Sequence, residues 1–474
     1  GPQGAGPKAA DIEELTSAGH KALQDGRTER ALSCFHAALD AAAQLQDSRV
    51  RRACLFNLGA AYVAAGRPQE GQDFLRRAQP GPKADRLPDL QFNLALAHDA
   101  LGRSQEAATH FLRAAQLYRS QGDGGGEGDA CSAMSHCYSR DQDWTLAVQG
   151  FLRAAESYKV AAMLDSAADA LKEAGSHMTQ SDQFKRDDII GVLTECLSLT
   201  ESITEPRILG ELYLSVGVSY CRLRCFQEAV QCFQVALGPA AQQPPLLARV
   251  LHNLGAALNA VGQFTPAVGY HRQAAALYGS LGCRGDQARC FSNLAVACSG
   301  LGDDEDAAES LLHALQGFRD TQDHLAQVQV CESLAECYLK QKKHQKAVSL
   351  YKQALTALSH CQVSSAAVGD RLVERLTAAL QRSFFQRPRP LRPRPHTPPP
   401  HRNSDITDRA SNQQPDGQRG EGQVSPVPGE LWSDTENSET SLVQEAEAPP
   451  SPPADIREAT PPAARWRSRF CSLM

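Results

Sequence analysis

The stretch Asn57-Leu58-Gly59-Ala60-Ala61-Tyr62, NLGAAY, returns along the chain as NLALAH from Asn93, NLGAAL from Asn253, NLAVAC from Asn293 and SLAECY from Ser333. The small third residue of each copy anchors a longer series. Twelve residues on stands another small residue, four further a bulky one, and three further an alanine. From Gly19 the series is Ala31, Phe35, Ala38; from Ala95 it is Ala107, Phe111, Ala114; from Ser135 it is Ala147, Phe151, Ala154; from Gly217 it is Ala229, Phe233, Ala236; from Ala335 it is Ala347, Tyr351, Ala354. The nine anchors Gly19, Gly59, Ala95, Ser135, Gly175, Gly217, Gly255, Ala295 and Ala335 lie about forty residues apart, a period that marks stacked supersecondary units.

The pattern is that of helix hairpins. Glycine inside a helix costs roughly 1 kcal/mol against alanine, a cost that is tolerable where two backbones must approach closely. The small residues let helix A and helix B of a unit touch, and the Phe, Tyr or Leu between them fills the remaining groove. No hairpin can bury its face alone, so neighbours must stack. Turn signals sit where the hairpins bend, at Ala65-Gly66-Arg67-Pro68, Leu101-Gly102, Val261-Gly262 and Leu301-Gly302-Asp303. An aromatic content of 6% also favours closely packed helices over sheets. The fifth unit departs: counting from Gly175, the later positions fall on Asp187, Gly191 and Thr194, which predicts a loosened joint near residues 180–205.

This pattern resembles the tetratricopeptide repeat, and its period and Leu-Gly turns are similar to the longer-repeat subtype of the Leu-Gly-Asn adaptors of cell polarity and of rapsyn-type scaffolds. The resemblance covers roughly residues 11 to 360. It implies an all-α, right-handed superhelical solenoid of about nine hairpins, whose A helices line a concave groove that binds peptide segments. In those adaptors an Arg and an Asn one helical turn later hold extended acidic peptides. The matching pairs here are Arg249 with Asn253 and Arg289 with Asn293, and Asn57 and Asn93 keep the Asn but have Ala53 and Asp89 in place of the Arg. A guanidinium and an amide on one helix face suit carboxylates and peptide backbone.

The expected organisation is a short N-terminal segment (1–10), a first arm (11–200, fifth unit degenerate), a second arm with a capping helix (201–380) and a disordered tail (381–474). In the tail, the basic proline-rich run Arg387 to Pro400 reads as polyproline II, either a ligand for an SH3-type domain or a stiff spacer. Trp432 stands in an acidic stretch, Glu421 to Glu447, that resembles the tryptophan-plus-acidic peptides of kinesin light chain repeats. It is expected to dock into the protein's own groove near Arg249 and Arg289. Cys471-Ser472-Leu473-Met474 has the form of a prenylation signal, with Met favouring farnesyl at Cys471. Arg465, Arg467 and Arg469 add ~1 kcal/mol each near an anionic leaflet, and Trp466 and Phe470 suit the interface.

Other classes find little support. The net charge of −6 gives no case for a nucleic-acid surface. Fifteen scattered cysteines without C-x-x-C read as reduced and buried, so no metal or cofactor is expected. Gly122 to Asp129, GDGGGEGD, lacks the end of a phosphate loop and reads as a flexible turn; Arg284-Gly285-Asp286 likewise reads as an inter-repeat turn. There is no H-E-x-x-H, G-x-S-x-G or Walker motif. The expectation is therefore a non-enzymatic scaffold or adaptor, cytoplasmic and peripheral on a membrane face. The alternative is a soluble adaptor or cochaperone-like module with an unmodified terminus.

Overall fold

A computed structural model describes residues 6–78, 87–362, 366–386 and 466–471. Among these, nineteen α-helices follow one another: α1 (Ala9–Gln24), α2 (Thr28–Leu45), α3 (Ser48–Ala64), α4 (Pro68–Arg77), α5 (Leu87–Ala100), α6 (Ser104–Ser120), α7 (Gly124–Arg140), α8 (Trp144–Val160), α9 (Leu164–Met178), α10 (Arg186–Ser198), α11 (Pro206–Arg222), α12 (Phe226–Ala240), α13 (Pro244–Ala260), α14 (Phe264–Ser280), α15 (Arg284–Gly300), α16 (Asp304–Asp320), α17 (His324–Lys340), α18 (His344–Ser359) and α19 (Ala366–Phe385). The odd-numbered helices up to α17 are the A helices expected from the repeat, and α19 follows the last hairpin. No described helix is long and apolar enough to cross a membrane.

The anchors meet the partners their spacing demands. A methyl group at Gly19 would lie 2.8 Å from the Phe35 ring, at Gly59 2.7 Å from Leu75, and at Gly217 2.4 Å from Phe233, all closer than atoms can pack. Phe35, Phe111, Phe151, Phe233 and Tyr351 are fully buried, as are Ala31, Ala107, Ala147, Ala229 and Ala347. The turns close in a common way. Arg67 donates its N–H to the Tyr62 carbonyl at 2.9 Å and Arg103 to that of His98 at 2.9 Å, the six-to-one bond of a helix ended by a left-handed residue. Gly66 and Gly102 take that residue's φ of 78° and 77°. Asp123, Asp143, Asp303 and Asp323 then cap the helices that follow by accepting a backbone N–H.

The fifth hairpin is closed, on a shifted register. Gly175 faces Leu193, whose Cδ2 would stand 2.5 Å from an added methyl and which is fully buried. That partner lies eighteen residues after its anchor (193 − 175), whereas Phe35 lies sixteen after Gly19 (35 − 19). The turn between α9 and α10 is seven residues long (179–185) against three (25–27) in the first hairpin, so the positions counted from Gly175 missed the core residue. A 3-10 turn at Thr200–Ser202 follows the short α10.

Two readings of loops are corrected. Of the run from Gly122 to Asp129, Gly122 and Asp123 form the turn, Gly122 at a φ of 73°, but from Gly124 on it is helix α7: a methyl at Gly126 would strike the Tyr118 ring at 2.5 Å and one at Gly128 the Tyr158 ring at 2.5 Å, so glycine is what lets both tyrosines pack against this helix. Arg284-Gly285-Asp286 opens α15 rather than filling a turn, and Arg284 pairs with Asp320 at 3.0 Å.

The chain divides into two compact units. One holds the described residues up to Ala257 together with 466–471; the other begins at Leu258. The boundary expected at 200/201 is thus not where the compact units part. In the second unit a continuous core runs from Ala288 to Ala379, and α19 lies on α18, bringing Arg371 and Arg375 to Glu332 at 3.1 and 3.4 Å. Buried thiols such as Cys131, Cys196 and Cys232 have pKa values pushed up to about 12 by burial, which keeps them protonated and inert.

Candidate peptide-binding groove

In the first unit the A helices carry a line of side chains that already holds a peptide, residues 466–471 of the same chain. Asn57 on α3 and Asn93 on α5, both buried, grip its main chain. Asn57 donates through Nδ2 to the Cys471 carbonyl at 3.0 Å and accepts the Cys471 N–H on Oδ1 at 2.7 Å. Asn93 does the same to Arg469, donating at 2.8 Å and accepting at 2.8 Å. Residues 469 and 471 are gripped and 470 is skipped, the alternation of an extended strand whose residues i and i+2 face one way. Since Asn93 comes after Asn57 while 469 comes before 471, the segment runs antiparallel to the order of the repeats.

Side-chain sites flank the ladder. The Arg469 guanidinium lies 2.5 Å from Asp129 Oδ2 and sits over the Phe92 ring at 4.5 Å, a charge-assisted bond beside a cation–π contact. Burial works against its charge, but the Asp129 hydrogen bond, with Tyr118, Asp129 and Asp89 nearby, outweighs it and raises the pKa. The acids are held in turn: Tyr158 donates to Asp129 at 2.5 Å and Tyr118 donates to Asp89. These are the tyrosines that the glycines of α7 admit.

Phe470 stacks on Phe35 at 5.8 Å and meets His20 edge-on at 4.6 Å. Cys471, 5% exposed, completes an apolar cluster with Leu55, Phe56, Leu75, Leu90 and Leu94. The three sites in order take a cation, an aromatic ring and a small apolar side chain.

The other expected residues behave differently. Arg249 on α13 pairs with Glu211 of α11 at 3.2 Å, and Asn253 spends its amide on the Arg249 carbonyl at 2.9 Å. In the second unit Arg289 pairs with Asp286 at 3.0 Å, and Asn293 is buried on α15. Among the described residues, both guanidinium groups are matched by a carboxylate of the protein. Of the tail residues expected at a membrane, Arg469, Phe470 and Cys471 pack into the groove, where Asp129 meets the charge and Phe35 and His20 meet the ring. Trp466 is half-buried and Arg467 exposed. Arg465, Trp432 and Arg387 to Pro400 lie outside the described residues.

Asp129 was missed from sequence, although a signal existed. The position one turn before the ladder residue carries Arg249 and Arg289 in two repeats, but Asp89 in α5 and Asp129 in α7. Where an adaptor for acidic peptides has a cation, this part of the chain has acids.

The tetratricopeptide-repeat sequence pattern matches residues 246–320 and 286–359. Residues 246–359 are tetratricopeptide repeats. The hairpins before residue 246 share the same helix-pair architecture. The apo form of RapI superposes with a TM-score of 0.52 at 10% identity, over 73% of this chain and 97% of that one. A signal-transduction ATPase with a tetratricopeptide repeat sensor, from Pyrococcus horikoshii, gives 0.47 at 14% identity over 74% and 54%. Putative kinesin light chain repeats from Podosopora anserina give 0.35 at 16% identity over 41% and 96%. The likeness to RapI is one of fold.

Proposed function

We propose that this tetratricopeptide-repeat protein is a non-catalytic scaffold whose first unit binds extended segments of other proteins along the Asn57–Asn93 ladder. The supporting observation is the pair of two-point grips on alternate main-chain residues. A carboxamide that both donates to the carbonyl and accepts from the N–H of one residue recognises backbone whatever the side chain, and it satisfies groups that would otherwise be buried unpaired. The acids at Asp89 and Asp129 set the preference toward basic segments rather than the acidic ones expected from Arg249 and Arg289.

The test is a display selection of random peptides on the full chain carrying Phe470→Ala, which frees the aromatic site. Selected peptides should be enriched in Arg or Lys and should lose binding when Asn57→Ala and Asn93→Ala are added. Binders indifferent to both changes would sink this reading.

Farnesylation of Cys471, with tethering to a cytoplasmic membrane face, is the finer proposal, and the groove bears on it. A lipid cannot be attached to a thiol enclosed by Leu55, Leu75 and Leu90, so modification requires the segment to leave. Intact mass after expression in animal cells, beside a Cys471→Ser control and with membrane fractionation, decides it: a farnesyl increment absent from the control supports tethering, and an unmodified cysteine leaves a soluble adaptor. Recognition of Arg387 to Pro400 by an SH3-type domain is likewise a proposal, tested by binding of that peptide to such a domain.

A further inference from the structure

We infer that residues 466–471 are a built-in competitor for the groove, and that the partners it admits are protein segments presenting the same triplet: a basic residue, an aromatic and a small apolar residue. The inference rests on the peptide-groove reading and names both its ligand and its regulation.

Three independent contacts carry it. Every main-chain polar group of Arg469 and Cys471 is held by Asn93 and Asn57, so any segment using this ladder must take the same rungs. The Arg469 charge is matched by Asp129, over Phe92, so an acidic side chain there would meet Asp129 and Asp89 with like charge. Phe470 contacts two rings, and Cys471 completes an enclosed apolar cluster, so a charged residue at either place would be desolvated without a partner. The sites are thus occupied rather than vacant.

Groove and segment belong to one chain, so docking does not depend on protein concentration, and a partner competes against an effective local concentration. Full occupancy in cis lowers the apparent affinity for a partner by the fraction of molecules with the groove free. Binding a partner in turn expels the segment and exposes Cys471.

The experiment uses the full chain under reducing conditions, with a fluorescein-labelled peptide of residues 465–474 as probe and anisotropy as readout. The wild type is compared with the double variant Arg469→Glu, Phe470→Ala, whose own segment cannot dock. The variant should bind the probe at least ten-fold more tightly, and Asn57→Ala in the same background should weaken that binding by ten-fold or more. A probe carrying Arg469→Glu should bind neither chain. Mapping of native thiol alkylation by mass spectrometry provides a second measurement, in which Cys471 should react faster in the double variant.

Equal affinity of wild type and double variant, with binding still weakened by Asn57→Ala, would overturn the built-in competitor and leave the groove reading standing. No binding to the double variant would remove the groove reading as well. Wild-type docking that requires a second copy, seen as a concentration-dependent dimer dispersed by the double variant, would also overturn the cis arrangement.

Discussion

At the scale of single residues, the groove depends on two carboxamides. Asn57→Ala leaves the Cys471 N–H and carbonyl in a buried site without their partner. Such a loss costs about 1–3 kcal/mol, or roughly ten- to a hundred-fold in the affinity of a docked peptide by ordinary free-energy arithmetic. Titration calorimetry on the variant with its own segment disabled measures it, and an unchanged affinity would place recognition in the side chains instead. Asn57 and Asn93 were legible because they stand at a fixed place in a repeated stretch. Asp89 was visible too, but as an absence of Arg, and its sign was not followed to Asp129 at the same place in the next unit. The docking of Cys471 on Asn57, 414 residues away, has no local signature at all. Read linearly, a cysteine four from the end among arginines and aromatics suggests a lipid anchor, and only the folded groove shows that those same side chains have protein partners.

At the scale of helices, the small–bulky–small series was sufficient for nearly every hairpin, since it records the contacts that bring helix A against helix B. It failed where the spacing changed. In the fifth unit, Leu193 does what Phe35 does in the first, two residues later than the count allows. Leu193→Ala should therefore destabilise the first unit by about 2–5 kcal/mol, the usual cost of a large-to-small change at a fully buried site. The lowered midpoint in urea is the measurement, and a shift no larger than that of an exposed leucine such as Leu146, 39% exposed, would mean the hairpin is not packed as described. The glycines that open α7 were misread for another reason. Glycine is the default residue of turns, but here it permits close approach of the Tyr118 and Tyr158 rings, and sequence does not distinguish those two uses.

At the scale of the whole molecule, three imidazoles of the first unit couple its stability to pH. Burial holds His20 below its ordinary pKa; His98 and His110 are also lowered, by burial first, with Arg76 adding to it in both and His98 adding to the shift of His110. In the unfolded chain these groups take up protons below about 6.5, while the folded unit resists. The unfolded state then binds more protons, so stability rises with pH through this window and falls as pH drops. Asp99 is raised by burial despite Arg140 and opposes the trend. The melting temperature should accordingly be lower at pH 5.5 than at pH 7.5, and His110→Gln should reduce the difference. A flat profile would mean that the imidazoles are solvated in the folded protein. The docked segment should loosen in the same direction, since His20 packs directly on Phe470.

The ladder separates grip from preference. Asn57 and Asn93 hold the main chain without asking what it carries, while Asp129, at the place one turn earlier in α7, meets the arriving side chain of Arg469. An array made this way can be rewritten one position at a time, like type set on a fixed line. Exchanging Asp129 for Arg would leave every backbone contact in place and reverse the charge of the segment that fits, so a lineage of such proteins can change its clientele without rebuilding its fold.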